Sequence, residues 1–283
     1  MKLIMLSGLP CSGKSTRTAE IVAQGNWVRL NRDLFREMLH HNKWSGRNEG
    51  ITVDCEKALA RTLLALGHNI VIDDCNLNPK NREMWSTIAK ECGAQFEHEY
   101  INTPWDVCVE RDKVREKSVG KDVIIQFAMQ YGMWKAPEKG ICISDIDGTL
   151  ADCTHRLQYA KGETKNWKLF FEGIPQDTLR KEIADQVDVY RQSGHPVVLV
   201  SARPEDYRKE TEQWLADKGI TYETLIMRRS GDKRDDVDVK RDIYEKYLQK
   251  YQIEVWFDDR PKIIRMLRDL GINVNDVGLN IEF

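Results

Sequence analysis

Two acids that close an apolar run are the first residues in this chain that could do chemistry. Residues 141–150 read Ile-Cys-Ile-Ser-Asp-Ile-Asp-Gly-Thr-Leu, and the two acids are Asp145 and Asp147. A buried strand that ends in this way holds both carboxylates at the carboxyl edge of a parallel sheet, where open α/β sheets bind ligands. Asp145 could then attack phosphorus and form a phosphoaspartate, while Asp147 could protonate the leaving oxygen and afterwards activate water.

Polar residues also stand at the ends of predicted strands, or near a predicted helix start, later in the same half of the chain. They are, in chain order, Ser201, Arg203, Lys240, Asp258 and Asp259. Ser201 and Lys240 would bind the phosphoryl oxygens, and the two later acids, with Asp145 and Asp147, would hold Mg²⁺ against the phosphoryl charge. Each residue alone is typical of a structural or solvated position. Together, in this order, they predict a haloacid-dehalogenase-like phosphatase.

A second phosphate-binding pattern lies near the start of the chain. Residues 8–15 read Gly-Leu-Pro-Cys-Ser-Gly-Lys-Ser and fit Gly-x4-Gly-Lys-Ser/Thr, between a predicted strand and a predicted helix. Glycines let the backbone wrap close to phosphate, Lys14 can reach the β- and γ-phosphates, and Ser15 can reach Mg²⁺. The predicted ATP site comprises Gly8, Ser12, Gly13, Lys14, Ser15 and Thr16.

Acids follow the next two predicted strands as well. Asp33 on its own is typical of a helix N-cap, but it stands where a kinase needs a base for the acceptor's proton. Arg36, one turn later, could bind an anionic acceptor or could simply be solvated. Asp73 and Asp74 follow the third predicted strand, where an acid holds Mg²⁺ or orients a substrate arginine. The residues alone leave both roles open.

Thr103 and Pro104 predict the N-cap and the first turn of a helix that carries Arg111 and Arg115 on one face. Such a pair could form a lid that stabilises charge on the transferring phosphoryl group. Acids are interspersed between the two arginines, so a solvated charged helix fits the spacing equally well.

The length of 283 residues suits two domains, since single cores stop growing at about 250–300 residues. The predicted fold class is α/β, with a P-loop NTPase-like parallel-sheet domain at residues 1–134, a linker at 135–140, and a haloacid-dehalogenase-like (Rossmannoid) domain at 141–283. The segment from Asp152 to Asp177 is expected to form a small cap on the second domain. Its aromatic residues could equally serve packing.

Composition sets further limits. No apolar run approaches the ~18 residues of a membrane span, and the first residues lack a signal-peptide pattern, so a cytoplasmic protein is expected. The seven cysteines include no Cys-x-x-Cys pair and predict reduced thiols. The net charge of −2 argues mildly against a large nucleic-acid surface, although it leaves room for binding at a chain end.

The four motifs, taken in order, resemble those of the phage polynucleotide kinase/3′-phosphatases of the T4 type over nearly the whole chain. The resemblance is carried by residues 8–15, 31–33, 74–79 and 145–149. It implies a multifunctional enzyme from a bacteriophage, acting in the host cytoplasm. One domain would move the ATP γ-phosphate to a 5′-hydroxyl of RNA or DNA. The other would remove 3′-phosphates and open 2′,3′-cyclic phosphates, before an RNA ligase seals the ends in RNA (tRNA) or DNA repair.

The resemblance also implies residue roles and a homotetramer. Asp33 becomes the general base, Arg36 the contact to the acceptor phosphate, and Arg111 and Arg115 the lid. The other implied substrate-binding residues are Asp74, Asn76, Ser201, Arg203, Arg228 and Lys240.

Two other readings remain compatible with the sequence. A small-metabolite kinase fused to a small-molecule phosphatase could use the same two folds, and the modest net charge slightly favours it. A catalytically silent module that binds nucleic-acid ends is the second, but apparently complete catalytic sets in both halves count against it.

Overall fold

A computed structural model gives the structure of residues 1–161 and 164–278. The chain divides into two compact units, Met1–Met133 and Trp134–Phe283. Each unit is built on a parallel β-sheet with α-helices, which confirms the predicted fold class. Among the residues described, no helix combines the length and the apolar character needed to cross a bilayer.

The first unit contains one four-stranded sheet. Its strands are β1 (Lys2–Ser7), β2 (Trp27–Leu30), β3 (Asn69–Asp73) and β4 (Gln95–Tyr100). All pairings are parallel, in the order β2-β3-β1-β4. The helices are α1 (Lys14–Val22), α2 (Arg32–His40), α3 (Gly46–Ala65), α4 (Pro79–Glu91), α5 (Trp105–Lys113) and α6 (Lys121–Gln130).

Strand β1 is apolar from Leu3 to Leu6 because its two faces enter two different hydrophobic clusters. Side chains alternate along a strand, so Leu3 and Met5 pack on one side with Trp85 of α4. Leu6 packs on the other side with Ile21 of α1. A continuous apolar run is what a central parallel strand needs, and it brings the end of β1 to the phosphate-binding loop.

The second unit contains a five-stranded sheet and a small two-stranded antiparallel sheet. Its strands are β5 (Ile141–Ser144), β6 (Ala151–Asp152), β7 (Thr178–Leu179), β8 (Val197–Pro204), β9 (Thr224–Arg228), β10 (Ile253–Asp258) and β11 (Val274–Asp276). The large sheet is parallel, in the order β11-β10-β5-β8-β9, and β6 pairs antiparallel with β7. Strand β5 therefore lies between β10 and β8.

The helices of the second unit lie between these strands. They are α7 (Trp167–Glu172), α8 (Lys181–Gln192), α9 (Arg208–Asp217), α10 (Asp236–Ile243) and α11 (Pro261–Asp269). Short 3₁₀ turns span Thr154–Tyr159, Ile174–Gln176 and Glu205–Tyr207, and a π-helical turn spans Tyr244–Leu248. The segment between β6 and β7, predicted as a cap, has its own small hydrophobic cluster around Leu157 and Phe170.

The predicted helix around the two lid arginines is shorter than expected. Helix α5 ends at Lys113, so Arg115 lies beyond it and does not share a helical face with Arg111. The cause is Asp112, which ties the following loop to the helix end. Its carboxylate accepts hydrogen bonds from three loop residues, Ser118, Val119 and Gly120.

The predicted N-cap of α5 is also wrong, and the alternative interpretation of Asp33 as a helix N-cap is excluded. The N-cap of α2 is Asn31, whose side chain accepts a hydrogen bond from the Leu34 amide, so Asp33 lies in the first turn instead. Thr103 does not cap α5, because its hydroxyl donates to the Ser12 carbonyl oxygen over 2.7 Å. The helix of Lys240 begins earlier than predicted, at Asp236, which places this lysine in the last turn.

Candidate active sites

The loop between β1 and α1 has the shape of a phosphate cradle. A β-carbon on Gly8 would lie 2.6 Å from the Ser12 hydroxyl oxygen and 2.8 Å from the Ile101 carbonyl oxygen, so only glycine fits there. The ammonium group of Lys14 donates to the Gly8 and Leu9 carbonyl oxygens over 3.0 and 2.6 Å. Lys14 is therefore held against the loop in which it is predicted to bind the ATP phosphates. Gly13 lies at its other end, and Ser15 and Thr16 are exposed in the first turn of α1.

The two predicted lid arginines both reach this loop. Arg111 donates from Nη1 to the Ser12 carbonyl oxygen over 3.2 Å, and Arg115 donates from Nη1 to the Cys11 sulfur over 3.6 Å. Although Arg115 is not helical, the fold brings both guanidinium groups to the same loop. Their placement differs from that of side chains on a solvated helix, where the charges would point to water.

Asp33 and Arg36 lie together at the start of α2. The side chain of Asp33 is 82% exposed and forms an ion pair with Arg36. Arg36 also donates to both carboxylate oxygens of Glu49, over 2.7 and 2.8 Å. These hydrogen bonds lower the pKa of Glu49 below its usual range. The sequence analysis missed Glu49 because its partner lies on another helix.

Asp74 contacts an arginine of the chain itself. One of its oxygens accepts a hydrogen bond from the Arg32 amide over 2.9 Å, and the other lies 3.5 Å from the Arg32 guanidinium. The same guanidinium contacts Glu56 over 2.6 Å. Glu56 is fully buried, and this burial, with the charge of Asp74, raises the pKa of Glu56 to about 8. The sequence analysis also missed Glu56, which stands within an ordinary helical pattern.

Asn76 is buried in the turn after β3. Its side-chain amide nitrogen donates a hydrogen bond to the Leu6 carbonyl oxygen over 2.9 Å. Its main-chain carbonyl oxygen accepts a hydrogen bond from the Ser7 hydroxyl over 3.0 Å. These bonds connect the ends of β1 and β3. Within the part of the chain that the structure describes, its side-chain oxygen has no hydrogen-bond partner.

Three acids of the second unit meet at the ends of β5 and β10. Asp145, Asp258 and Asp259 offer carboxylate oxygens that all lie within 4.8 Å of one another. Lys240 lies between two of them, 3.0 Å from Asp145 and 2.7 Å from Asp258. Burial raises the pKa of Asp145, although Lys240 opposes it, and burial helped by Asp258 raises the pKa of Asp259 to about 6.

This cluster fits a hard divalent cation. Its donors are all carboxylate oxygens, the ligands that Mg²⁺ prefers. Lys240 and Arg260 both act on these acids, but Arg260 also pairs with Asp236, so an excess of buried negative charge remains that a cation would neutralise. Gly148 is required beside it, because a β-carbon there would lie 2.1 Å from an Asp259 oxygen.

The Asp147 side chain is not among these clustered acids. Its carboxylate accepts from Arg203 over 2.9 and 2.7 Å and forms an ion pair with Arg156. Burial alone would raise the pKa of Asp147, but the two arginines outweigh it and lower the pKa below the usual range. The metal ligands suggested by the geometry are therefore Asp145, Asp258 and Asp259.

Arg156 and Asp177 were missed by the sequence analysis. Both are fully buried at their side chains, and Asp177 contacts Arg156 over 2.6 Å and Arg203 over 3.1 Å. No local pattern could reveal them, since they lie in a segment without helical or strand periodicity. They connect the predicted cap segment to Asp147.

Arg203, Arg228 and Lys240, three of the predicted phosphate ligands, line one cavity of about 890 Å³ together with Asp145 and Asp147. Ser201 is fully buried within β8 and is not among the residues that line the cavity; its hydroxyl accepts a hydrogen bond from the Arg203 amide over 3.2 Å.

Arg228 also lines the cavity, but its guanidinium holds the loop that follows β9. It donates to the carbonyl oxygens of Ala202 and Arg234 over 2.8 and 2.6 Å, and it pairs with Asp236. Asp236 also pairs with Arg260, and it is another site residue that the sequence analysis did not single out.

Comparisons with known proteins identify two family domains in this chain. The family described as "Polynucleotide kinase PNKP phosphatase domain" matches residues 139–280, and "AAA domain" matches residues 3–131. A protein of Autographa californica nuclear polyhedrosis virus, named as a bifunctional polynucleotide kinase/RNA ligase, is 26% identical over 96% of this chain. This chain spans 41% of that viral protein.

Two other similarities cover different shares of the chain. The L-seryl-tRNA(Sec) kinase of Methanococcus maripaludis is 27% identical over 62% of this chain and 71% of its own length. A chain in the solved "Structure of the Pnkp1/Rnl/Hen1 RNA repair complex" is 27% identical, with 98% of this chain and 96% of that chain covered and a TM-score of 0.44. The family match spans about half of the chain and follows an AAA domain, as the resemblance predicted, so the chain belongs to the polynucleotide kinase PNKP phosphatase domain family.

Proposed function

We propose that this chain heals nucleic-acid ends in two ways. Residues 1–134 would phosphorylate 5′-hydroxyl ends with ATP, residues 135–140 would link the domains, and residues 141–283 would remove 3′-phosphate and 2′,3′-cyclic phosphate ends. The observation that carries the proposal is that one compact unit holds Lys14 in a phosphate-binding loop, while the other holds a cluster of three acids beside Lys240. The order of the two family matches supports the same assignment.

In the kinase domain, Asp33 takes the proton of the 5′-hydroxyl as its oxygen attacks the γ-phosphorus of ATP, and ADP leaves. Asp33 suits this role because it is exposed to an incoming acceptor. Lys14, with Arg111 and Arg115, stabilises the charge that develops on the phosphates.

The acceptor is held by the arginine next to the base. Arg36 is fixed between Asp33 and Glu49, so its guanidinium is ready for the acceptor phosphate. Asp74 acts through Arg32, because it contacts that residue's amide and guanidinium. Asn76 is also assigned to substrate binding, and its buried side-chain oxygen has no hydrogen-bond partner among the described residues.

In the phosphatase domain, a carboxylate oxygen of Asp145 attacks phosphorus and the bond to the 3′-oxygen breaks, which leaves a phosphoaspartate. Asp147 gives a proton to the departing oxygen. A water then attacks the phosphoaspartate, Asp147 takes its proton, and phosphate leaves with the Asp145 carboxylate restored. Lys240 and Ser201 stabilise the phosphoryl oxygens.

The arginine pair on Asp147 explains how one carboxylate can serve both steps. With Arg203 and Arg156 in contact, Asp147 is held as a carboxylate, the form that accepts a proton from water. When a phosphoryl group draws Arg203 toward its own oxygens, the pKa of Asp147 rises, which favours the acid form. Arg203 would thus exchange one anionic partner for another during the reaction.

Mg²⁺ would be held by Asp145, Asp258 and Asp259 in the phosphatase domain and by Ser15 in the kinase domain. When bound, it would neutralise phosphoryl charge. The acidic cluster supports this choice, since it offers three carboxylates and no softer ligand.

The partners follow from the same proposal. RNA or DNA ends are the substrates, and the name of the viral relative, which includes an RNA ligase, supports an RNA ligase as the functional partner. The bacteriophage source and the homotetramer rest on the resemblance to the phage enzymes alone, and the proposed cytoplasmic setting agrees with that resemblance. Light scattering on the purified protein would test the tetramer.

The test of the proposed function uses end-labelled nucleic acids. Labelled ATP is offered with 5′-hydroxyl oligonucleotides and, separately, with a panel of nucleosides and small metabolites. A nicked tRNA anticodon loop with 2′,3′-cyclic phosphate and 5′-hydroxyl ends should be converted to ligatable ends. Labelling of metabolites without labelling of oligonucleotides would contradict the proposal and favour the fused metabolite enzyme.

A further inference from the structure

The cavity of the second unit has an aromatic wall that the phosphatase chemistry does not use. The rings of Trp167, Phe171 and Tyr207 line this cavity together with Asp145. Trp167 and Phe171 are stacked, with ring centroids 6.2 Å apart and an interplanar angle of 25°. Phe171 in turn lies 4.9 Å from Tyr207. Three rings therefore form a continuous row along one side of the cavity.

The packing of α7 accounts for only part of this wall. Phe170 is the inward residue of the helix, since it is buried and the guanidinium of Arg156 lies over its ring at 4.3 Å. Trp167 contacts Phe170 edge-on, yet it remains 45% exposed. A tryptophan side chain contributes most to stability or binding when its surface is buried. An indole that stays exposed at a polar cavity is therefore suited to bind a flat ligand.

The cavity is also lined by cations, one of which lies close to the Trp167 ring. Lys165, Lys168 and Lys233 are among its lining residues, and the ammonium group of Lys165 lies 5.3 Å from the Trp167 ring centroid. Aromatic rings beside a positively charged groove are the combination that binds single-stranded nucleic acid, because bases stack on the rings while phosphates meet the cations. A lysine side chain is long enough to turn from the ring to a phosphate of the bound strand.

We propose that Trp167, supported by Phe171 and Tyr207, stacks on the nucleobase of the terminal nucleotide whose 3′-phosphate Asp145 attacks. The proposal rests on the proposed phosphatase function and adds its substrate class, which is an unpaired terminal nucleotide. The site would tolerate every base, because each base presents a π-face. It would discriminate against phosphate esters that lack a base.

The test compares kcat/KM on three substrates. These are an oligonucleotide with a 3′-phosphate, the same oligonucleotide ending in an abasic sugar 3′-phosphate, and glycerol 2-phosphate. For Trp167→Ala we expect a loss of roughly 5- to 150-fold on the first substrate only, which is the range for one base–aromatic stack. Trp167→Phe should recover most of this loss. Leu169→Ala is the matched control, since Leu169 is an exposed residue of α7 that is not among the cavity-lining residues.

Two outcomes would overturn the stacking site. One is an equal loss by Trp167→Ala on all three substrates, which would make Trp167 a structural residue of α7. The other is unchanged activity of Trp167→Ala on the base-bearing end. A third outcome concerns the underlying function instead. If the unaltered protein hydrolyses glycerol 2-phosphate but not the oligonucleotide 3′-phosphate, the proposed phosphatase function itself is contradicted.

Discussion

The ammonium nitrogen of Lys240 donates a hydrogen bond to Asp258 over 2.7 Å, and both residues are buried. One buried cation thereby faces a cluster of three acids, which also includes Asp145 and Asp259. The attraction of these acids outweighs burial and raises the pKa of Lys240, so the lysine stays charged. Its single charge still leaves the cluster negative, and desolvated carboxylates without a counter-charge are costly.

Mg²⁺ should therefore stabilise the second domain as well as support its reaction. We expect a chelator to abolish 3′-phosphate release, and Mg²⁺ to raise the Tm, because a cation that binds only the folded form stabilises it. Asp258→Asn should lose the activity and most of the Mg²⁺-dependent rise in Tm. Asp185→Asn, which changes an exposed acid of α8, should keep both. An undiminished Mg²⁺-dependent rise in the Asp258→Asn protein would count against the proposed cation site.

The two activities should be separable by single substitutions, because each set of catalytic groups lies within one compact unit. Lys14→Ala should reduce phosphoryl transfer from ATP at least about a hundredfold, since it removes the charge held in the phosphate loop. It should leave 3′-phosphate release unchanged. Asp145→Ala should have the reverse effect, and assays of both activities on each purified variant provide the measurement.

The control is the folded state of each variant, which circular dichroism can monitor. Loss of both activities in a variant that remains folded would show that the sites are not independent. Full phosphatase activity in Asp145→Asn would show that another residue is the nucleophile.

Glu49→Gln should weaken acceptor binding without affecting ATP. Glu49 fixes Arg36 through two hydrogen bonds of 2.7 and 2.8 Å. Hydrogen bonds to charged groups contribute ~1.5–3 kcal/mol, so KM for the 5′-hydroxyl oligonucleotide should rise about tenfold or more. KM for ATP should stay the same. Glu91→Gln, which alters a surface ion pair with Arg61, is the control. An equal rise in both KM values would point to a general disturbance of the domain.

Glu56→Gln should change how stability depends on pH. Although Arg32 lies 2.6 Å from Glu56, burial and the nearby Asp74 raise the pKa of Glu56 to about 8. An acid whose pKa rises on folding stabilises the fold while it is protonated, and this contribution is lost as the pH rises toward the folded-state pKa. Gln is a neutral substitute with similar hydrogen-bonding groups.

The measurement is the Tm of both proteins from about pH 5 to about pH 9, a range that spans the folded-state pKa. We expect the Tm of the Glu56→Gln protein to increase relative to the Tm of the unaltered protein as the pH rises. A difference in Tm that stays constant over this range would mean that Glu56 does not titrate there.

The sequence predicted the contiguous motifs well and the long-range contacts poorly. Lys14 and Asp145 stand in short patterns whose strand and helix neighbours are also local, so their surroundings could be predicted. Arg156 was missed because its partners, Asp147 and Asp177, are separated from it along the chain. The helix around Arg115 was predicted too long because a side chain, Asp112, ends it by binding the next loop.

Helix periodicity predicts which residues share a face of the helix. It does not predict which carboxylate binds a loop or an arginine from another element. For the same reason Glu49 and Glu56 gave no signal in the sequence. Both stand at ordinary positions of α3, and their importance depends on arginines of α2.

The carbonyl oxygen of Ser12 accepts hydrogen bonds from Thr103 over 2.7 Å and from Arg111 over 3.2 Å. The segment after β4 is therefore already attached to the phosphate loop before a nucleotide arrives. Folding has already ordered much of this segment, so nucleotide binding has less conformational freedom to remove. Such preorganisation improves the affinity for the nucleotide. A nucleotide should consequently meet a loop and lid that need little rearrangement, with a smaller entropic penalty on binding.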